Sequence, residues 1–158
     1  MIQRIQTVYL ALAAIACFLL FFFPLASYYD ALEGNYKLFI HGIKYMDPEP
    51  KIIFSSWFTT PMIALVSISI AMDVITILLY RKRPLQLRLI SLNVLLLIIL
   101  VLIIFFFYAS RIQTMTRIEP EYNLVGMMLP LVALVFLILS NRAIRKDETL
   151  VRSTDRLR

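Results

Sequence analysis

The sequence predicts an all-α membrane protein: a four-helix transmembrane bundle of up-down topology, with a small antiparallel β-hairpin or three-strand meander in the first outside loop and a cytoplasmic C-terminal helical extension. Three observations carry this. The 158-residue chain is 61% hydrophobic and only 16% charged, with mean hydropathy +0.82, more apolar surface than a soluble core absorbs. Its apolar residues fall into four blocks, Val8 to Leu25, Trp57 to Tyr80, Leu89 to Tyr108 and Tyr122 to Leu139. Each is near the run of about 20 residues that crosses hydrocarbon as a helix, the form that satisfies its own backbone there. The third observation is the uneven sorting of basic residues between the connecting segments.

Eleven of the sixteen Lys and Arg residues are Arg4, the group Arg81, Lys82, Arg83 and Arg88, and the tail group Arg142, Arg145, Lys146, Arg152, Arg156 and Arg158. The other five, Lys37, Lys44, Lys51, Arg111 and Arg117, lie in the two alternate loops. The positive-inside rule puts the richer set, and with it both termini and the 81–88 turn, in the cytoplasm. The expected division is a four-span domain over 1–140, with helices at about 7–25, 57–80, 85–110 and 121–140 and an outside loop at 26–56, followed by a basic tail at 141–158. The charge of +6 thus reads as orientation, with anionic lipid headgroups rather than nucleic acid as its partner.

The first apolar run continues through Cys17 into Phe18 to Phe23, past the short core of a signal peptide, and is read as an uncleaved helix. Cys17 is the single cysteine, so no internal disulfide or cysteine metal cage forms. With Ala13 and Ala16 it offers a small-residue face for close helix contact.

In the first outside loop, Tyr36 to Ile40 and Ile43 to Met46 flank His41-Gly42 and read as a hairpin. Gly34-Asn35 supplies an earlier turn, making Ser27 to Leu32 a candidate third strand. His41, the lone histidine, is read as a turn residue, because a metal site needs further ligands. Asp47-Pro48-Glu49-Pro50 breaks regular structure, and Trp57 sits at the re-entry.

The second helix is apolar except for Ser69, Asp73, Thr76 and Tyr80, whose spacing puts them on one face. Asp73 lies eight residues before Arg81, roughly 12 Å deep at about 1.5 Å per residue. A charge there costs on the order of 2.5 to 3.5 kcal/mol on insertion scales, so it faces the bundle. Asn93, ten residues past Arg83, reaches comparable depth on the third helix. Two readings of Asp73 stand: a proton or cation relay, or interhelical glue with Asn93 or counter-charge to Arg88. A relay needs several ionisable groups along its path, and no other lies in a span core, which favours glue.

Glu119-Pro120-Glu121 reads as the start of the fourth helix, Gly126 as a point of close approach and Pro130 as a kink. The tail continues that helix, with Glu148 four residues before Arg152 and a thin apolar edge of Ile144, Val151 and Leu157.

The N-terminal run Met1 to Leu10, the tail Arg142 to Arg158, and Leu85 to Arg88 with Asn93 between them resemble a family of small four-span inner-membrane proteins of the Bacteroidota, catalogued as a domain of unknown function. The resemblance covers nearly the whole chain and implies a bacterial inner membrane, but brings no catalytic residue. Proteins of that family are sometimes labelled transcription termination factor Rho. Such an ATPase needs the phosphate loop G-x-x-x-x-G-K-[ST], and glycines stand here only at positions 34, 42 and 126, none of which begins that motif.

No cofactor motif, catalytic set or metal-ligand spacing is present, so the expectation is a non-enzymatic interaction or accessory subunit without cofactors, joined to a membrane-protein partner or to copies of itself. A small proton or cation transporter using Asp73 is the alternative. An integral-membrane enzyme is weakest, since acid-base chemistry needs positioned partners.

Overall fold

The computed structural model describes residues 3–30, 34–46, 52–55, 57–80 and 82–155, with side chains for 5–29, 35–46, 52–55, 57–80 and 82–149. The Asp47 to Pro50 breaker, Lys51, Arg81, Arg156, Leu157 and Arg158 lie outside the described residues, as do the side chains of Arg4, Val151 and Arg152.

Four helical rods dominate. α1 spans Gln3–Leu19, α2 Thr60–Leu78 and α3 Arg83–Leu102; α3 runs through a π-helical stretch, Ile103–Ala109, into α4, Ser110–Thr116; α5 spans Leu124–Asp155. α1 packs against α2 and α5, α2 against α3, and α3 against α5, which closes a ring. Three rods, Thr60–Leu78, Arg83–Thr116 and Leu124–Thr149, are long and apolar enough to cross a membrane.

Local chemistry sets the ends. α1 stops six residues before the expected boundary because Phe21 and Phe22 donate to the carbonyls three residues back, Phe18 and Leu19, at 3.2 and 3.0 Å, and Pro24 then forbids helix. α2 and α3 each begin with proline in the first turn, where its missing N–H costs nothing and its φ is already helical. The third rod runs to Thr116, beyond the expected 110, and ends at Arg117 in the left-handed region, φ 58°. Its buried positions from the π-helical stretch onward are Ile104, Tyr108, Ala109, Ile112 and Thr116.

The fourth rod starts later than Glu119-Pro120-Glu121 suggests. Glu121–Tyr122 form a short strand, β4 below, and α5 begins at Leu124. Asn123 caps it: its side-chain oxygen accepts from the Gly126 N–H at 3.1 Å, the bond an N-cap asparagine makes. Pro130 lies inside α5. The tail is continuous with this rod, and Ile144 and Asp147 are buried.

At one end of the ring sits an antiparallel sheet of order β3-β2-β1-β4, with β1 Ala26–Asp30, β2 Gly34–Phe39, β3 Gly42–Tyr45 and β4 Glu121–Tyr122. The third strand anticipated near Ser27 is β1, seen to Asp30; Ala31 and Leu32 lie outside the described residues. The hairpin turn is Ile40-His41 rather than His41-Gly42, since Phe39 faces Gly42 and Tyr36 faces Tyr45. Tyr36, Leu38 and Ile40 are buried in alternation, and keeping Ile40 in that row fixes the register. β4 pairs with β1, Ala26 opposite Tyr122 and Ser27 opposite Glu121.

The core runs unbroken from the helix interfaces (Leu10, Ala13, Cys17, Met62, Leu97) to the inner face of the sheet. Gly126 marks the join. A Cβ there would collide with the Pro24 carbonyl oxygen and lie 2.9 Å from its carbon, so only glycine lets α5 touch the chain entering β1.

Candidate functional site

The buried polar side chains concentrate on the seam between α2 and α3. From α2 come Ser69, Asp73 and Thr76, and from α3 Gln86 and Asn93, all under 5% exposed. Tyr80, expected on the same stripe, is 49% exposed; α2 ends at Leu78, so helical spacing no longer governs it.

Each side chain finds a partner across or along the seam. The Asn93 amide nitrogen donates to Asp73 Oδ1 at 2.8 Å and to the Ser69 carbonyl at 3.2 Å. Gln86 donates to the Thr76 carbonyl at 2.8 Å, and the Thr76 hydroxyl to the Met72 carbonyl at 2.7 Å. Cys17 on α1 closes the seam from a third side, its Sγ 3.7 Å from Ser69 Oγ.

Asp73 Oδ2 and Asn93 Oδ1 have no hydrogen-bond partner among the described residues. Both are acceptors while the acid is ionised. Neither can therefore satisfy the other in that state. Arg88, the other candidate partner of Asp73, is exposed at the 81–88 end of α3 and lines a groove toward α5. Among the described residues no group of three or more His, Cys, Asp or Glu gathers as metal ligands do.

The described members of the predicted basic set collect at the end opposite the sheet. Lys82, Arg88, Arg142, Arg145 and Lys146 are exposed there and Arg83 is partly buried. The helix of the tail includes Arg152. Gln6 of α1 reaches the same end, donating to Asp147 of α5 at 2.7 Å, with both side chains buried. Sequence reasoning missed this pair, since nothing in the local pattern connects residues 141 positions apart. Gln86 was missed because a glutamine at a helix start reads as solvated.

At the sheet end the Tyr108 hydroxyl donates to the Phe58 carbonyl at 2.7 Å, and Tyr45 Oη accepts from the Phe54 N–H at 2.7 Å. Together they tie the segment entering α2 to the sheet and to the third rod. A hollow of about 170 Å³ lies beside it, lined by His41, Tyr45, Phe54 and Thr59 among others.

A family model described as Domain of unknown function (DUF4293) matches residues 2–157. No curated protein matches the chain.

Proposed function

The chain belongs to the DUF4293 family, and we propose that it is a four-span protein of a bacterial cytoplasmic membrane, with termini and the 81–88 turn inside and the sheet outside, acting by contact as a non-enzymatic interaction or accessory subunit. Support for the membrane part comes from the outer surface of the rods. Only 28% of the most apolar stretch of each spanning rod is buried within the protein, and Phe18, Phe22, Leu92, Leu95, Phe106 and Val135 stand exposed. Apolar surface on that scale requires lipid or a partner. α1, at 17 residues or about 25 Å, lies between α2 and α5 in the ring and crosses with them.

The observation that carries the contact reading is the joint sheet. Segments from two separate loops, β1 to β3 and β4, build one structure on the ends of the rods. Next to edge strand β3 it leaves Met46 53% and Ile53 79% exposed. The polar seam fits glue, since Asn93 bonds both to Asp73 and to the Ser69 carbonyl of the facing helix.

Affinity purification in mild detergent at native expression, followed by mass spectrometry, tests the reading. A partner protein, or copies of this chain, is expected to co-purify and to be lost on Ile53→Asp. Recovery of the protein alone contradicts the reading. Proton or cation flux in proteoliposomes that Asp73→Asn abolishes would replace it with the relay.

A further inference from the structure

At the basic end α3 and α5 leave a groove between them, made of two adjoining hollows of about 330 and 470 Å³. Its floor is apolar, with Leu92 and Val94 from α3 and Ile138 from α5. Its rim carries Arg88, Arg142 and Arg145, all exposed.

A chain of hydrogen bonds crosses the groove and fixes one arginine. Ser91 Oγ donates to the Leu87 carbonyl at 2.9 Å and so accepts from Asn141 Nδ2 at 3.4 Å. Asn141 Oδ1 accepts from Arg145 Nε at 2.8 Å. Arg145 is thereby held by one edge of its guanidinium, leaving the terminal nitrogens, which grip phosphate oxygens in pairs. Asp147, two residues on, is turned away to Gln6 of α1.

We infer that this groove binds one anionic phospholipid, its phosphate at the three arginines and the start of an acyl chain along Leu92, Val94 and Ile138. The inference rests on the membrane reading above. Basic pockets between spanning helices recognise such headgroups, and positive charge over an apolar floor matches a molecule that is anionic at one end and hydrocarbon at the other. A soluble anion would leave the floor uncovered. A second copy docking by the same face would set one arginine cluster against another.

The test is native mass spectrometry of the full-length protein in mild detergent, titrated with phosphatidylglycerol or phosphatidylcholine. Phosphatidylglycerol is expected to bind about tenfold tighter or more, since three basic residues act together. Arg145→Gln weakens it about fivefold, the equivalent of about 1 kcal/mol per basic residue. Asn141→Ala weakens it too, although it leaves the charge unchanged, because Arg145 loses its hold; Lys82→Gln, outside the groove, does not. Equal affinity for the two lipids, or equal losses in Arg145→Gln and Lys82→Gln, overturns the groove in favour of diffuse attraction. Glycerol phosphate binding as tightly as the lipid overturns the acyl contact, and a dimer mass lost with Arg145→Gln assigns the groove to a second copy. Failure of the membrane reading is distinct: the protein would then be recovered without detergent in the soluble fraction.

Discussion

The Asn93 side chain of α3 bridges to α2 at two points, with one amide nitrogen 2.8 Å from Asp73 Oδ1 and 3.2 Å from the Ser69 carbonyl oxygen. Each partner removes from an apolar setting a polar group that would otherwise be unsatisfied. Interhelical hydrogen bonds of this kind average about 0.6 kcal/mol and reach about 1.7 kcal/mol. Asp73→Leu and Asn93→Leu are therefore each expected to lower stability modestly, with a double mutant less destabilised than the sum, because the two share one contact. Thermal unfolding in detergent measures this, and strict additivity would show that the bond carries no coupling energy.

Gly126→Ala is expected to cost more than either. The new methyl meets the backbone of Pro24 and comes within 3.2 Å of Leu25 Cα, and backbone cannot swing aside as a side chain does. Overpacking of this sort costs about 1–3 kcal/mol. The loss should appear as a lower unfolding midpoint, accompanied by weaker protection of the β1 amides in hydrogen exchange, since Leu25 leads directly into that strand.

Tyr28 gives a prediction of opposite sign. Its hydroxyl is buried under the sheet with no hydrogen-bond partner among the described residues, so Tyr28→Phe removes an unpaid desolvation and should be neutral or stabilising by up to about 1 kcal/mol. Burial, with Tyr122 as the lesser cause, holds this phenol above its ordinary value of 10.0. The folded state therefore prefers the neutral form: its stability is intact below pH 10 and declines as pH rises beyond, where the unfolded chain ionises first. A smaller alkaline loss in Tyr28→Phe than in the unmutated protein checks the assignment.

The helical rods were legible because apolar runs of spanning length leave little choice of structure. The seam was legible too: Ser69, Asp73 and Asn93 follow from helical spacing and from equal depth across a short turn. Features that depend on distant partners were not. β4 has only two residues and exists through pairing with Ala26 and Ser27, while Glu119-Pro120-Glu121 offers a strong local helix signal that this pairing overrides. His41-Gly42 misplaced the turn by one residue because burial of Ile40 outweighs glycine's preference there, and a side chain at Gly42 would meet nothing within 4 Å. The π-helical stretch Ile103–Ala109 lies within an unbroken apolar run and leaves no mark in the sequence pattern.

The arrangement of the two ends carries the whole functional account, and labelling with a membrane-impermeant maleimide tests it most directly. Cys17 is fully buried, so the unmutated protein supplies an unlabelled background. Lys44→Cys places a thiol on β3 of the sheet, and Lys146→Cys one at the basic end of α5; both positions are exposed. In intact cells Lys44→Cys should label and Lys146→Cys should not, with the second reacting after permeabilisation. Labelling of Lys146→Cys in intact cells, or protection of Lys44→Cys there, would contradict the proposed threading.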